Sequence, residues 1–177
     1  MEGSLVTYPG LRKDSAVLVS ALFEKWSTPV AAYVYRLVGD WEVAHDLTQE
    51  VFLRVFNNRH QLEGVENQRA WVYRIATNVA FDYLRRRRRF AWLPWRSDQT
   101  ASLPEPMATT EEVDQRVAVE RALAHLPPDY RAPLLLYGYY GFSVREVARA
   151  LDISEGAVKT RLYRARELFR QVYEKEV

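Results

Sequence analysis

Apolar residues recur at three- and four-residue intervals along most of this chain, and no stretch alternates as a half-buried strand would. From residue 15 to 38 the apolar and aromatic positions are Val17, Leu18, Ala21, Leu22, Trp26, Val30, Tyr33, Val34 and Leu37, which predicts two helices interrupted around Pro29. Gly39 and Asp40 break the pattern. Residues 42 to 58 form a second block, with Val43, Leu47, Val51 and Val55 toward a core and Asn57, Asn58 and Arg59 as its end. A loop, LEGVENQ, occupies 62 to 68, and a third block at 69 to 90 has Val72, Ala76, Val79 and Tyr83 as its core stripe. From about Phe90 to Glu112 the periodicity stops, and Pro94, Pro104 and Pro106 sit among Ser, Thr and acidic residues. Beyond it, 113 to 126 is amphipathic, and Pro127 and Pro128 open a Leu- and Tyr-rich helix over 129 to 140. The expectation is an all-α protein: a disordered tail (1–14), a helical domain (15–92), a flexible acidic linker (93–112) and a second helical domain (113–177). Trp92, Leu93 and Trp95 are expected to cover the first domain.

Residues 143 to 170, SVREVARALDISEGAVKTRLYRARELFR, predict a helix-turn-helix. Ser143 and Glu146 have capping-box spacing, so a helix starts near Val144, with Val147, Ala148 and Leu151 as its apolar face. Asp152 stands where the turn needs a residue tolerant of left-handed geometry. Ser154 caps the next helix, whose buried stripe is Val158, Leu162, Ala165 and Phe169. Its opposite face carries Gly156, Thr160, Tyr163 and Arg164, with Lys159 and Arg161 at the margins. Short and guanidinium side chains can reach base edges while flanking cations hold phosphates, as a recognition helix requires.

Composition narrows the chemistry. The chain has no Cys, which excludes disulfides, thiolate metal sites and cysteine nucleophiles. His45, His60 and His125 have no carboxylate partners at ligand spacing, no GxxxxGK stretch exists, and neither a metal nor another cofactor is expected. No apolar run is long enough for a membrane helix and the N-terminus lacks a signal-peptide core, so membrane insertion is not expected and a cytoplasmic setting is. The net charge of +2 says little, but its distribution says more. Leu37 to Leu53 holds four acids and no Lys or Arg; Arg69 to Arg89 holds seven arginines against the single Asp82; Ser97 to Gln115 holds five acids and no Lys or Arg. Blocks of alternating sign imply separate surfaces with separate partners.

Two such surfaces fall in the first domain. Asp46, Gln49, Glu50 and Leu53 share one face of the 42–58 helix, a mixture that suits a protein-binding stripe and equally suits a solvated face with one stray Leu. Trp71, Arg74, Asn78, Asp82, Arg85 and Arg89 fall on one side of the third block. Aromatics interleaved with cations suit single-stranded or melted DNA, and five consecutive arginines exceed what a helix C-terminus needs.

Three segments in order, DLTQEVFLRVF at 46–56, AWVYRIATNVAFDYLRRRRR at 70–89 and LDISEGAVKTRLYRAREL at 151–168, with a Pro-rich linker between the last two, resemble the extracytoplasmic-function branch of bacterial RNA polymerase sigma factors. The resemblance covers residues 15 to 173. It implies a non-enzymatic promoter-specificity subunit that binds core polymerase, reads −10 and −35 elements, promotes melting and starts transcription of a stress or envelope regulon. By the same resemblance, Asp46, Gln49, Glu50 and Leu53 would dock on the clamp helices of the largest polymerase subunit. Trp71, Arg74, Asn78, Asp82, Arg85 and Arg86 would meet the −10 region, with an extruded non-template base captured near Asn78. Gly156, Lys159, Thr160, Arg161, Tyr163 and Arg164 would meet the −35 duplex, and YRAPLLLYGYYG at 130–141 would offer apolar surface to the flap of the second-largest subunit. Asp98, Glu105, Glu111 and Glu112 could imitate RNA charge in the polymerase cleft, or simply be a polar linker. The family often pairs its members with an anti-sigma protein, and no inhibitory extra domain or long C-terminal extension is expected. The rival readings are a helix-turn-helix repressor or activator that binds duplex DNA without polymerase, and an RNA-binding enzyme, for which no catalytic constellation is found.

Overall fold

Pro29 does not divide the first block. In the computed structural model, which describes residues 13–89 and 110–176, α1 is one helix, Lys13–Val38, with Pro29 inside it. This corrects the expected pair of helices. A proline forfeits one backbone hydrogen bond, but Val19, Leu22, Val30, Tyr33, Val34 and Leu37 are buried on one stripe that runs past it. Packing of that stripe outweighs the local penalty. The helix ends at Gly39, whose φ of 79 suits glycine, and whose N–H donates to the Tyr35 carbonyl at 2.7 Å.

Asp40 then caps α2 (Trp41–Asn57) by accepting from the Val43 N–H at 3.1 Å. Leu47, Val51 and Val55 are buried as predicted, whereas Val43 is half-buried. A 3-10 turn, Arg59–Gly64, takes the start of the expected loop, and α3 covers Gln68–Arg89. Val72, Ala76 and Val79 have no exposed surface, and Tyr83 lies at the edge of the core. The buried Tyr33 hydroxyl meets Thr77 Oγ1 at 2.8 Å, tying α1 to α3.

The second half contains α4 (Thr110–His125), α5 (Pro128–Leu134), α6 (Val144–Leu151) and α7 (Glu155–Glu176), with a wide π turn at Leu135–Tyr139. No strand occurs among the described residues. Helix α1 starts at Lys13, two residues inside the expected tail, and α4 starts three residues before the expected helix. The expected helix over 129–140 is α5 followed by the π turn. Glu111 and Glu112 therefore lie on the first turn of α4. Trp92, Leu93, Trp95, Asp98 and Glu105, and the remainder of the linker, lie outside the described residues.

A seam joins the two halves, and Arg131 on α5 is its centre. The side chain is buried, at 8% exposure, and its guanidinium donates to carbonyls of Ala124, Leu126, Arg36 and Leu37 at 2.5 to 3.2 Å. Helix C-termini leave carbonyls without intrahelical partners and carry partial negative charge. Arg131 satisfies such carbonyls at the ends of both α1 and α4. Burial pushes its pKa down to about 10, so it stays a cation at neutral pH. Beside it Arg36 Nε donates to Glu120 Oε1 at 2.9 Å. Tyr140 completes the seam: its ring packs against Tyr33 and Tyr73 at 5.6 and 5.2 Å, and its hydroxyl donates to the Pro29 carbonyl at 3.3 Å.

Candidate nucleic-acid interface

The helix-turn-helix forms through the local chemistry its sequence predicts. Ser143 Oγ accepts from the Glu146 N–H at 3.2 Å, and the Glu146 carboxylate accepts from the Ser143 N–H at 2.7 Å. Bonds from Ser143, and then from Asn67, hold the Glu146 carboxyl below its ordinary value. Asp152 sits in the left-handed region at φ 55, and Ser154 Oγ accepts from the Ala157 N–H at 3.1 Å. Val147, Ala148, Val158, Leu162 and Ala165 are buried, while Leu151 and Phe169 are half-buried against the core.

Burying that stripe turns Gly156, Lys159, Thr160, Tyr163 and Arg164 outward, all exposed, with Tyr163 at 69%. Arg161 is half-buried because its guanidinium turns toward Asp129, at 3.7 Å. Arg164 Nη1 donates to the Tyr130 hydroxyl at 3.4 Å. A shallow groove of about 360 Å³ lies between α5 and α7, lined by Pro127, Asp129, Tyr130, Ala157, Thr160, Arg161 and Arg164. Asp129 and Tyr130 were not among the residues predicted to meet DNA. Nothing in their spacing marks them, since they reach α7 only through the tertiary fold.

On α3 the predicted face is assembled unevenly. Asn78, Arg85 and Arg86 are exposed, and Trp71 is half-buried against the core. Asp82 is ion-paired with Arg85 and lies 3.8 Å from Arg54 of α2, which in turn binds Glu50 at 2.5 Å. This chain of charges ties α2 to α3. It also engages Glu50 and Asp82 internally, which the sequence did not foretell. Arg74 lies 3.9 Å from Asp152 in the turn between α6 and α7.

The stripe on α2 stays open. Asp46 has a side-chain exposure of 83%, Gln49 is exposed with its amide 3.3 Å from His45 Nδ1, and Leu53 is 63% exposed. Phe56 prolongs this stripe and is partly exposed beneath the Arg59 guanidinium, 4.5 Å from the ring centroid. Phe56 is not among the predicted docking residues, although offsets of 3, 7 and 10 from Asp46 put Gln49, Leu53 and Phe56 on the same face. In the 130–141 segment Leu135 and Leu136 are core, while Tyr137 and Tyr139 keep exposed rings. Among the described residues no cluster of His, Asp and Glu could hold a metal ion, and no helix is long and apolar enough to cross a membrane.

Comparison with known proteins matches both halves. Residues 22–90 fit the Sigma-70 region 2 family and residues 116–169 fit Sigma-70, region 4. The chain is 30% identical to the ECF RNA polymerase sigma factor SigX of Bacillus subtilis, over 85% of this chain and 80% of that protein. It is 33% identical to the ECF RNA polymerase sigma factor SigL of Mycobacterium tuberculosis, over 88% and 89% of the two chains. Among solved structures, the sigma factor RpoE of Bartonella quintana, in complex with the anti-sigma factor NepR, shares the fold with a TM-score of 0.69 at 23% identity, covering 92% of this chain and 96% of that one. CnrH, solved with the cytosolic domain of CnrY, gives a TM-score of 0.65 at 20% identity, covering 93% and 96%. An exposed acidic stripe, a cationic helix face and a capped helix-turn-helix thus occur in a chain that belongs to the extracytoplasmic-function family of RNA polymerase sigma factors.

Proposed function

We propose that this sigma factor divides its binding energy among three surfaces and performs no chemistry of its own. Asp46, Gln49, Leu53 and Phe56 form the polymerase-docking stripe, addressed to the clamp helices of the largest subunit, with Glu50 serving mainly to anchor Arg54. Asn78, Arg85 and Arg86 meet the melted non-template strand, with Trp71 and Arg74 at the near end of that face and Asp82 orienting Arg85. Gly156, Lys159, Thr160, Arg161, Tyr163 and Arg164 meet the −35 duplex. The exposed rings of Tyr137 and Tyr139 are offered to the polymerase flap. The observation that carries this reading is the coexistence of the open α2 stripe with two separate cationic faces on one chain.

Melting follows from differential affinity. An extruded base binds only the opened promoter, so capture near Asn78 shifts the equilibrium toward the open complex at a cost of a few kcal/mol in stacking and pairing. The working setting is the cytoplasm, where polymerase and promoter are. The acidic linker, with Glu111 and Glu112 at its α4 end, would occupy a cleft built for RNA. A stress or envelope regulon fits the family. An anti-sigma protein, as found with the Bartonella quintana neighbour, would silence the chain by covering these same surfaces.

Transcription by core polymerase on a genomic fragment library tests the whole reading: added chain will direct initiation to a defined promoter set, whereas tight duplex binding without polymerase would favour a conventional repressor or activator. Asn78→Ala will slow open-complex formation, followed by permanganate reactivity, while leaving polymerase affinity intact; lost polymerase affinity would refute its role. Arg164→Ala will weaken −35 recognition by about 1–3 kcal/mol, the cost of a base contact. Its readout is the ratio of initiation on promoters with intact and scrambled upstream elements, and an unchanged ratio removes Arg164 from the interface.

A further inference from the structure

An acid stands on the face assigned to duplex DNA. Asp129, in the first turn of α5, keeps 67% of its side chain exposed beside the cations of α7. A carboxylate there repels phosphate, so it lowers affinity for every DNA sequence alike. Its contacts show what it contributes instead. Its Oδ1 lies 3.7 Å from Arg161 Nη1, and the hydroxyl of the next residue, Tyr130, accepts from Arg164 Nη1 at 3.4 Å. Arg161 and Arg164 are about one helical turn apart on α7, so two consecutive residues of α5 meet two neighbouring guanidiniums. All four side chains line the shallow groove of about 360 Å³ between the helices, together with the small Ala157.

The platform beneath these contacts is well fixed. Pro127 and Pro128 restrict the backbone entering α5, and the Tyr130 and Arg131 N–H groups both donate to the Pro127 carbonyl at 2.9 Å. Arg131 ties α5 to the end of α4 by donating to the carbonyls of Ala124 and Leu126 at 2.5 to 3.2 Å. Burial of Val158, Leu162 and Ala165 sets the rotation of α7. A guanidinium holds its five donors in a planar fork, and the direction of that fork decides which base edge it can read. An arginine free to swing satisfies itself on any nearby phosphate, which adds affinity without sequence information. The carboxylate beside Arg161 offsets that indiscriminate attraction and directs the donors left over. Tyr130 directs Arg164 without altering the charge.

We propose that Asp129 and Tyr130 are positioning residues of the −35 interface: they aim Arg161 and Arg164, and so set how strictly the recognition helix distinguishes its element from other duplex. This rests on the assignment of α7 to that element. Holoenzyme formed with each variant is titrated against promoters with intact and scrambled upstream elements. Asp129→Asn will lower the ratio of the two affinities by about fivefold, the low end for one bidentate base contact, chiefly by raising affinity for the scrambled promoter. It will also steepen the dependence of log affinity on log salt by about one unit, because a cation is released to phosphate. Asp129→Glu keeps the charge and will leave the salt dependence unchanged. Tyr130→Phe will lower the ratio by about threefold, the effect of one lost hydrogen bond, with no change in salt dependence. In an Arg161→Ala chain, Asp129→Asn will lower the ratio no further, since the acid acts through that arginine. An unchanged ratio with Asp129→Asn or Tyr130→Phe would overturn the proposal. So would a further fall in the Arg161→Ala chain, or a glutamate variant as damaged as the asparagine one. If Arg161→Ala and Arg164→Ala both leave the ratio untouched, the −35 assignment itself fails and takes this proposal with it.

Discussion

Arg131→Ala will destabilise the free chain by about 3–4 kcal/mol, more than any substitution on the exposed faces of α2, α3 or α7. The guanidinium serves four carbonyls, those of Ala124 and Leu126 beside the end of α4 and those of Arg36 and Leu37 at the end of α1. Each buried acceptor left without a donor costs on the order of 1 kcal/mol, and the packing of the stem over the seam is lost as well. Recovering the desolvation cost of the cation offsets part of this loss, which keeps the figure below the sum. Arg131→Lys will recover only a fraction, since an ammonium cannot reach two helix ends with a planar fork. Urea unfolding at neutral pH measures the effect. A loss under about 1 kcal/mol would mean that water replaces the guanidinium and that the seam is not the structural centre described.

Leu53→Asp will weaken binding to core polymerase by about 2–4 kcal/mol, some 30- to 1,000-fold, while leaving the fold intact. Leu53 is 63% exposed on a helix whose core side is Leu47, Val51 and Val55, so its side chain contributes little to the free chain. Its neighbours on the stripe are Asp46, Gln49 and the partly exposed Phe56, which gives an apolar centre with a polar rim. An aspartate there would be buried without a partner on docking, which adds a desolvation penalty to the lost apolar contact. Competition with a labelled sigma factor for core polymerase reads the affinity, and thermal unfolding of the free chain checks the fold. Undiminished competition would move the docking surface elsewhere. Phe56→Ala, at the stripe's end, will give a smaller loss of about 1 kcal/mol, as rim positions do.

Elements set by neighbours in sequence were legible from the residues alone. The capping box at Ser143 and Glu146, the left-handed Asp152 and the cap at Ser154 depend on atoms a few residues apart, so their chemistry is local and the helix-turn-helix could be read directly. The buried stripes of α2, α3 and α7 were equally plain, because helical periodicity converts spacing into a face. Spacing likewise opened the exposed stripe from Asp46 to Leu53. Where burial against a distant element competes with a local signal, the tertiary structure decided. It carried α1 unbroken through Pro29, since the core gains more from a continuous stripe than one missing hydrogen bond costs. It placed Asp129 and Tyr130 beside Arg161 and Arg164, and linked Glu50 to Asp82 through Arg54. It also set Arg131 across two helix ends, about 95 residues apart from the carbonyls of α1 in sequence. A charged side chain reads as surface in a sequence. Only a fold that brings two helix ends together gives a buried cation enough acceptors to stay there.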